Sequence, residues 1–348
     1  MGCLASDFGF LFLNKPMSNL ARILASLILL AFAAQFSWSK SLLDEPWTEA
    51  IPGVKKTADP PPPAAPKTRE DQAIADATMV LEFNPRDIDS YVQRANAFVK
   101  LGQFEKAEAD FQKGFKVAPG NPLLLNGRGL ALARQKKFDL ALADFSKALE
   151  TKPDYEAARY NRGLVYAALG RDEPAIADFS AALDLNPGDA ECYFNRGLAF
   201  RRTKAEERAE SDLTHALKLN PQDADALYQR GLSLIALGRH GDAVKDLTQA
   251  LQFAPRNADA YYNRGIARGR LGQLENAIDD YDKAIEIRPN DPDSYFNRAN
   301  AKRLKRLKSG AIEDYQQFIL LAPAEYGSFI EQAKKRIEEL KRPEIRLR

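Results

Sequence analysis

Hydrophobic and polar positions follow one pattern through most of this chain. Text such as Y-F-N-R-G-L-A (193–199) sets apolar or small residues three and four apart, with charges between them. Text such as A-I-A-D-F-S-A-A-L (175–183) does the same with a different set of residues. That spacing is the 3.6-residue period of a helix, whereas strands would alternate every second residue. The prolines expose a longer period. Pro85, Pro119, Pro153, Pro187, Pro221, Pro255, Pro289 and Pro323 stand 34 residues apart, without an insertion or deletion.

Other columns keep the same register. An alanine recurs as Ala107, Ala141, Ala175, Ala209, Ala243, Ala277 and Ala311, and four residues later a large apolar side chain as Phe111, Phe145, Phe179, Leu213, Leu247, Tyr281 and Tyr315. A small residue recurs as Ala95, Gly129, Gly163, Gly197, Gly231, Gly265 and Ala299. Each unit therefore predicts a pair of helices. The small residue faces the alanine at the closest approach, and the large side chain fills the space beyond. Pairs such as Leu101-Gly102, Leu169-Gly170, Leu237-Gly238 and Leu271-Gly272 make the turn. The proline lacks an N–H and restricts the residue before it, so it stops the second helix and sends the chain into the next unit.

Small residue, alanine, aromatic and proline at these offsets resemble the tetratricopeptide repeat family. The resemblance implies an all-α fold: a right-handed α-solenoid, or superhelix, of seven tandem 34-residue helix-turn-helix repeats with terminal capping helices. The repeats run 88–121, 122–155, 156–189, 190–223, 224–257, 258–291 and 292–325. Residues 67–87 read as a half repeat, a lone second helix with Ala73, Ala77 and Val80 in register. Residues 326–348 read as a capping helix with Phe329, Ile330, Ala333, Ile337 and Leu340 on one side. Such half units close the ends of a stack. One departure stands out: where the family commonly has Leu before the first small residue, every repeat here has Arg.

Those arginines are Arg94, Arg128, Arg162, Arg196, Arg230, Arg264 and Arg298. Sixteen residues after each stands an aspartate: Asp110, Asp144, Asp178, Asp212, Asp246, Asp280 and Asp314. Matched numbers of opposite charges favour structural ion pairs between neighbouring helices over a free basic ladder for an acidic ligand.

Immediately before each Arg stands Gln93, Gly127, Asn161, Asn195, Gln229, Asn263 or Asn297. A carboxamide both donates and accepts, so the six amides suit the backbone of an extended peptide. The resemblance implies that first helices line a concave face, where such a ladder would grip a peptide. The competing reading has each amide bond a neighbouring helix and order the stack. One residue earlier, Tyr160, Phe194, Tyr228, Tyr262 and Phe296 read as packing. The two-carboxylate clamp of chaperone-tail receptors in this family is disfavoured. Its first Lys position is aromatic here, and its Asn position is mostly Leu164, Leu198, Leu232 and Ile266, with Asn96 and Asn300 as isolated exceptions.

Composition adds exclusions. Fifty Lys and Arg against 48 Asp and Glu leave a net charge of +2, which lacks the basic footprint of a nucleic-acid binder. First-helix charges nonetheless lean positive through Lys100, Arg134, Arg201, Arg202, Arg268 and Arg270. They culminate in Lys302, Arg303, Lys305, Arg306 and Lys308, a cluster that suits an acidic or anionic-surface partner. Two cysteines, Cys3 and Cys192, and two histidines, His215 and His240, form no disulfide scaffold or zinc spacing. His215, His240 and Cys192 recur in no other repeat and read as incidental. No metal site or cofactor is indicated. With no insertion among the repeats, no phosphate loop and no nucleophile beside a base, the sequence reads as non-enzymatic.

The N-terminal region has its own logic. Residues 23–34, ILASLILLAFAA, follow Lys15 and Arg22 and are too few to span a bilayer, which needs about twenty. With small residues at Ala31 and Ala33, residues 1–33 read as a signal peptide, with Met17 as a second start. An uncleaved membrane anchor is the main rival. The start Met1-Gly2-Cys3-Leu4-Ala5-Ser6 also fits a myristoylation pattern, which would leave the apolar core unexplained. Residues 34–66, with Trp38, Trp47 and the run Pro60-Pro61-Pro62-Pro63, read as a semi-rigid spacer. The expectation is a non-catalytic interaction scaffold, periplasmic or secreted, whose concave groove binds an extended peptide or helix of another protein. Peripheral envelope association would run through the spacer or the Lys302–Lys308 cluster. The alternative is a structural component of an envelope complex that uses its convex or terminal faces.

Overall fold

A computed structural model describes residues 68–342. All of these residues belong to one compact unit. The segments read as signal peptide and spacer lie outside the described residues, as do residues 343–348 of the capping segment.

Sixteen α-helices and one short 3₁₀ turn make up the described fold, with no strand among the described residues. A lone helix, α1 (Arg69–Phe83), comes first. The helix pairs are α2 (Ile88–Lys100) with α3 (Phe104–Val117), α4 (Pro122–Arg134) with α5 (Phe138–Thr151), and α6 (Glu156–Ala168) with α7 (Asp172–Leu185). Next come α8 (Ala190–Arg202) with α9 (Glu206–Leu219) and α10 (Ala224–Ala236) with α11 (His240–Phe253). The last pairs are α12 (Ala258–Arg270) with α13 (Leu274–Ile287) and α14 (Pro292–Leu304) with α15 (Lys308–Leu321), followed by α16 (Gly327–Lys341). The fold is an α-solenoid of helix-turn-helix repeats.

Local chemistry explains where helices start and stop. Asp87, Asn121, Asp189, Asp223, Asn257 and Asp291 cap six of the seven first helices, their side-chain oxygens accepting from backbone N–H groups of the first turn, while α6 follows Tyr155 with no side-chain cap. At the turn within each pair, one residue takes the left-handed conformation: Gly102, Gly170, Gly238 and Gly272, but Lys136, Lys204 and Arg306 in repeats 2, 4 and 7. It lets the following N–H reach back over the helix end, as Gln103 N–H does to the Phe98 carbonyl at 2.8 Å.

Within a pair, the large side chain packs directly onto the glycine of the first helix, and at Gly197 the Ala209 carbonyl lies beside it. A methyl carbon added to Gly163 would lie 2.8 Å from Phe179 Cε1, and one added to Gly265 2.7 Å from Tyr281 Cε1. In these repeats the large side chain reaches the bare glycine backbone, and in repeats 1 and 7, where Ala95 and Ala299 take the glycine's place, Phe111 and Tyr315 are still fully buried.

Along the stack, successive first helices touch one another, while successive second helices are held apart. First helices therefore occupy the inner radius. At the C-terminal end, α16 buries Ala333 and Ile337 against Tyr315 and Phe318. At the N-terminal end α1 has no first-helix partner before it among the described residues. Val80 and Phe83 are 41% and 87% exposed there, where Gly114, Ala148 and Ala182, in register with Val80, are buried.

A candidate binding face along the first helices

Each arginine of the column clamps its own second helix through two charge-assisted hydrogen bonds. Arg196 Nε and Nη2 donate to Asp212 Oδ2 and Oδ1 at 2.7 and 2.8 Å. The same fork joins Arg94 to Asp110, Arg128 to Asp144, Arg162 to Asp178, Arg230 to Asp246, Arg264 to Asp280 and Arg298 to Asp314. All seven aspartates are buried. Hydrogen bonding to Asp212 holds the Arg196 guanidinium above its ordinary pKa, against the opposing effect of burial.

The third guanidinium corner crosses to the preceding repeat. Nη1 donates to a hydroxyl sixteen residues back: Arg94 to Thr78, Arg162 to Ser146, Arg196 to Ser180, Arg230 to Thr214 and Arg264 to Thr248. Arg298 reaches Asp282 at the same offset. Each arginine thus ties three helices together. Arg128 is the exception: Gln112 replaces the hydroxyl, the bond is absent, and the side chain is 31% exposed. The hydroxyl at this offset was the signal, and the sequence reading passed over it.

The carboxamide column splits by atom. Asn195 Nδ2 donates to Tyr160 Oη at 3.1 Å and to the Glu191 carbonyl at 2.9 Å. Asn263 repeats this with Tyr228 and Asp259, and Asn297 with Tyr262 and Asp293. Because a backbone carbonyl can only accept, the amide nitrogen must face it, which sets the orientation. Both donors of these three amides are spent inside the stack. Their Oδ1 atoms receive no hydrogen bond among the described residues. Asn161 instead donates to Asn126 Oδ1 at 3.0 Å, and both residues are buried. Gln229 Oε1 accepts from Arg201, while Gln93 is exposed. Gly127 supplies no side chain. The structure therefore brings Asn195, Asn263 and Asn297 into equivalent rungs and leaves the other four positions apart.

Carboxylates flank these rungs. Tyr160 Oη donates to Glu191 Oε2 at 3.3 Å. Burial raises the pKa of Glu191, with a further rise from Asp189; burial and Asp291 do the same for Asp293. Burial also pushes the Tyr228 phenol up to about 12. Between the rungs run Leu164, Leu198, Leu232 and Ile266, all half-buried.

Much of the positive charge at the far ends of the first helices is committed to carboxylates. Arg202 pairs with Asp172 at 2.6 Å, Arg268 with Asp280 at 2.9 Å and Lys302 with Asp314 at 2.9 Å. Lys305 pairs with Glu275. The Lys302–Lys308 cluster is thus partly a set of intramolecular bridges. Cys192 is buried with its thiol directed at the Phe179 carbonyl, and His215 stacks on Tyr193. No group of three or more His, Cys, Asp or Glu that could hold a metal occurs among the described residues. No helix among them is long and apolar enough to cross a membrane.

A helical-repeat solenoid with a continuous inner face of first helices is the architecture of a repeat scaffold. The chain belongs to the tetratricopeptide repeat family. Tetratricopeptide repeat models match residues 258–291, 280–314 and the overlapping spans 92–156, 137–190 and 160–224, and a TPR repeat model matches 231–272. No curated protein matches the chain in sequence. Among solved structures it is similar to YrrB, described as a TPR protein with an unusual peptide-binding site. The identity is 26% and the TM-score 0.50, over 53% of this chain and 95% of that one. It shares the fold with pilF of Pseudomonas aeruginosa, at 16% identity and TM-score 0.53, over 65% of this chain and 97% of that one. The APC/C hetero-tetramer Cut9–Hcn1 also shares it, at 19% identity and TM-score 0.52, over 79% and 53%.

Proposed function

We propose that this chain is a non-catalytic protein-interaction scaffold that holds an extended peptide or helix of a partner along its first-helix face. The observation that carries the reading is the run of unpaired Oδ1 acceptors on Asn195, Asn263 and Asn297 beside the half-buried stripe Leu198, Leu232 and Ile266. Acceptors in a row suit peptide N–H groups, and the stripe suits alternate side chains of the same peptide. Membership of a repeat family and the peptide-binding site named for YrrB support it. The experiment is to pan a displayed octapeptide library on the full chain and measure the enriched peptides against Leu198→Gln/Leu232→Gln. Affinity should fall at least tenfold with Tm little changed. First-helix binders indifferent to the pair would refute the reading.

The N-terminal text supports export with cleavage after residue 33, and N-terminal sequencing of the mature protein should begin at or near Ala34. A second reading, assembly through a terminal face, is favoured by the exposed Phe83, Met79 and Val80 of α1. Under that reading Phe83→Ser, and not the groove pair, would abolish association.

A further inference from the structure

The seven repeats act as controls for one another, and one junction differs. Between repeats 1 and 2, α3 and α4 pack over a shorter stretch than the matching helices elsewhere, while α2 and α4 press closer. Two substitutions account for this. The third residue of each first helix is small in six repeats, Ser90, Ala158, Cys192, Ala226, Ala260 and Ser294, but is Leu124 in repeat 2. Leu124 fills the space a side chain at Gly114 would need, since a methyl carbon there would lie 2.5 Å from its Cδ2. Conversely, Gly127 leaves room for Val92 Cγ1 of α2, 3.5 Å from where its Cβ would stand, as well as for Phe111 Cε1 of α3 at 2.9 Å.

The junction therefore closes on the first-helix side and opens between α3 and α5. Two adjoining cavities of about 660 and 540 Å³ lie there, and Arg128 and Gln112 line both. Arg128, which lacks the inter-repeat bond of its counterparts, lies in the middle, with its guanidinium over the Phe115 ring at 4.7 Å. Phe104, Leu132 and the exposed Leu140 give the larger cavity an apolar wall. Charge differs between the two cavities: the larger carries Glu105 and Glu108 together with Lys137, whose Nζ donates to Gln135 Oε1 at 2.8 Å, while the smaller carries Lys116 and Lys147 and no carboxylate. Arg128 Nη1, with no acceptor from the preceding repeat, is free to donate to a carbonyl laid across the centre.

We propose that this groove is a second docking site, separate from the first-helix face. Its occupant is a partner peptide segment with Lys or Arg at one end, an apolar centre, and Asp or Glu at the other. Opposite charges at the two ends set the direction in which the segment lies, and the apolar wall and Arg128 hold its middle.

The test uses the full chain and a displayed random octapeptide library. Enriched peptides should include a class with segregated charge that loses affinity at least tenfold on Glu105→Lys/Glu108→Lys, and likewise on Lys116→Glu/Lys147→Glu. This class should be indifferent to Leu198→Gln/Leu232→Gln. Reversing the peptide's basic end should restore binding to the Glu105→Lys/Glu108→Lys chain. Glu105, Lys116 and Lys147 are exposed and Glu108 half-buried, and circular dichroism of each variant is to match the parent. The proposal is overturned if no enriched peptide responds to either reversal, or if the rescue fails. It is also overturned if the reversals instead abolish self-association in analytical ultracentrifugation, which would assign the groove to a second copy.

Discussion

The junctions between repeats 1 and 2 and between repeats 3 and 4 are built from the same columns, yet one gapes and the other is shut. At the closed junction, Arg196 reaches Ser180 at 2.9 Å, and small Cys192 meets small Ala182, both buried. At the open one, Gln112 stands in for the serine, Leu124 for the cysteine and Gly114 for the alanine. The backbone of each repeat is the same helix pair. A tetratricopeptide stack is therefore not uniform by virtue of its period: the residues at the junction, here Gln112, Gly114, Leu124 and Gly127, decide whether two repeats seal or leave a groove.

The largest test of this difference is to remove the clamp at both places. Arg196→Ala strands the buried Asp212 and frees Ser180, with an expected cost of about 3–5 kcal/mol in denaturant unfolding. Arg128→Ala removes a more exposed clamp with no inter-repeat bond and should cost roughly half as much. Equal losses would mean that the inter-repeat hydroxyl contributes nothing.

Next comes the size swap. Gly114→Ala alone should cost about 1–3 kcal/mol by overpacking against Leu124, and Leu124→Ala about 2–5 kcal/mol by leaving a cavity. The double variant restores the small-to-small pairing of the other junctions, so its loss should be clearly less than the sum. Additive losses would show that the two residues do not set the opening.

A smaller effect is expected at the turns. Lys136, Lys204 and Arg306 hold a left-handed backbone that glycine holds in the other four repeats. Changing any of them to glycine relieves steric strain but loosens the unfolded chain, for an expected net gain of about 0.5–1 kcal/mol. The same change at Leu101, whose φ is −83°, should destabilise instead.

The smallest effect concerns pH. Glu191 binds its proton more tightly in the folded chain than in the unfolded one, so its charged form opposes folding. Glu191→Gln should therefore be favourable relative to the parent at neutral pH, and the advantage should vanish as pH falls through the carboxylate range. Urea midpoints at neutral and acidic pH report this directly.

Much of this was readable in the sequence. Eight prolines in register, a glycine before a ring and a proline-rich stop define helix pairs because each acts on its own few residues. The sixteen-residue separation of Arg and Asp places them on facing turns of one helix pair, where they meet. What crosses between repeats was harder. Asn195 finds Tyr160 thirty-five residues back, a partner fixed by how one repeat sits on the next. For that reason the amide column, uniform as text, divides into rungs with free acceptors and residues engaged elsewhere. Gln112, Leu124 and Gly114 looked like ordinary variation, since their effect exists only at the contact they share.

The central claim is that first helices form the face that holds a partner. Its most direct test is photo-crosslinking in the native cell, with benzoylphenylalanine placed at Leu232 on the first-helix face or at Gln249 on an exposed second-helix position. The account predicts a partner adduct from position 232 and none from position 249. An adduct from 249 with none from 232 would contradict it.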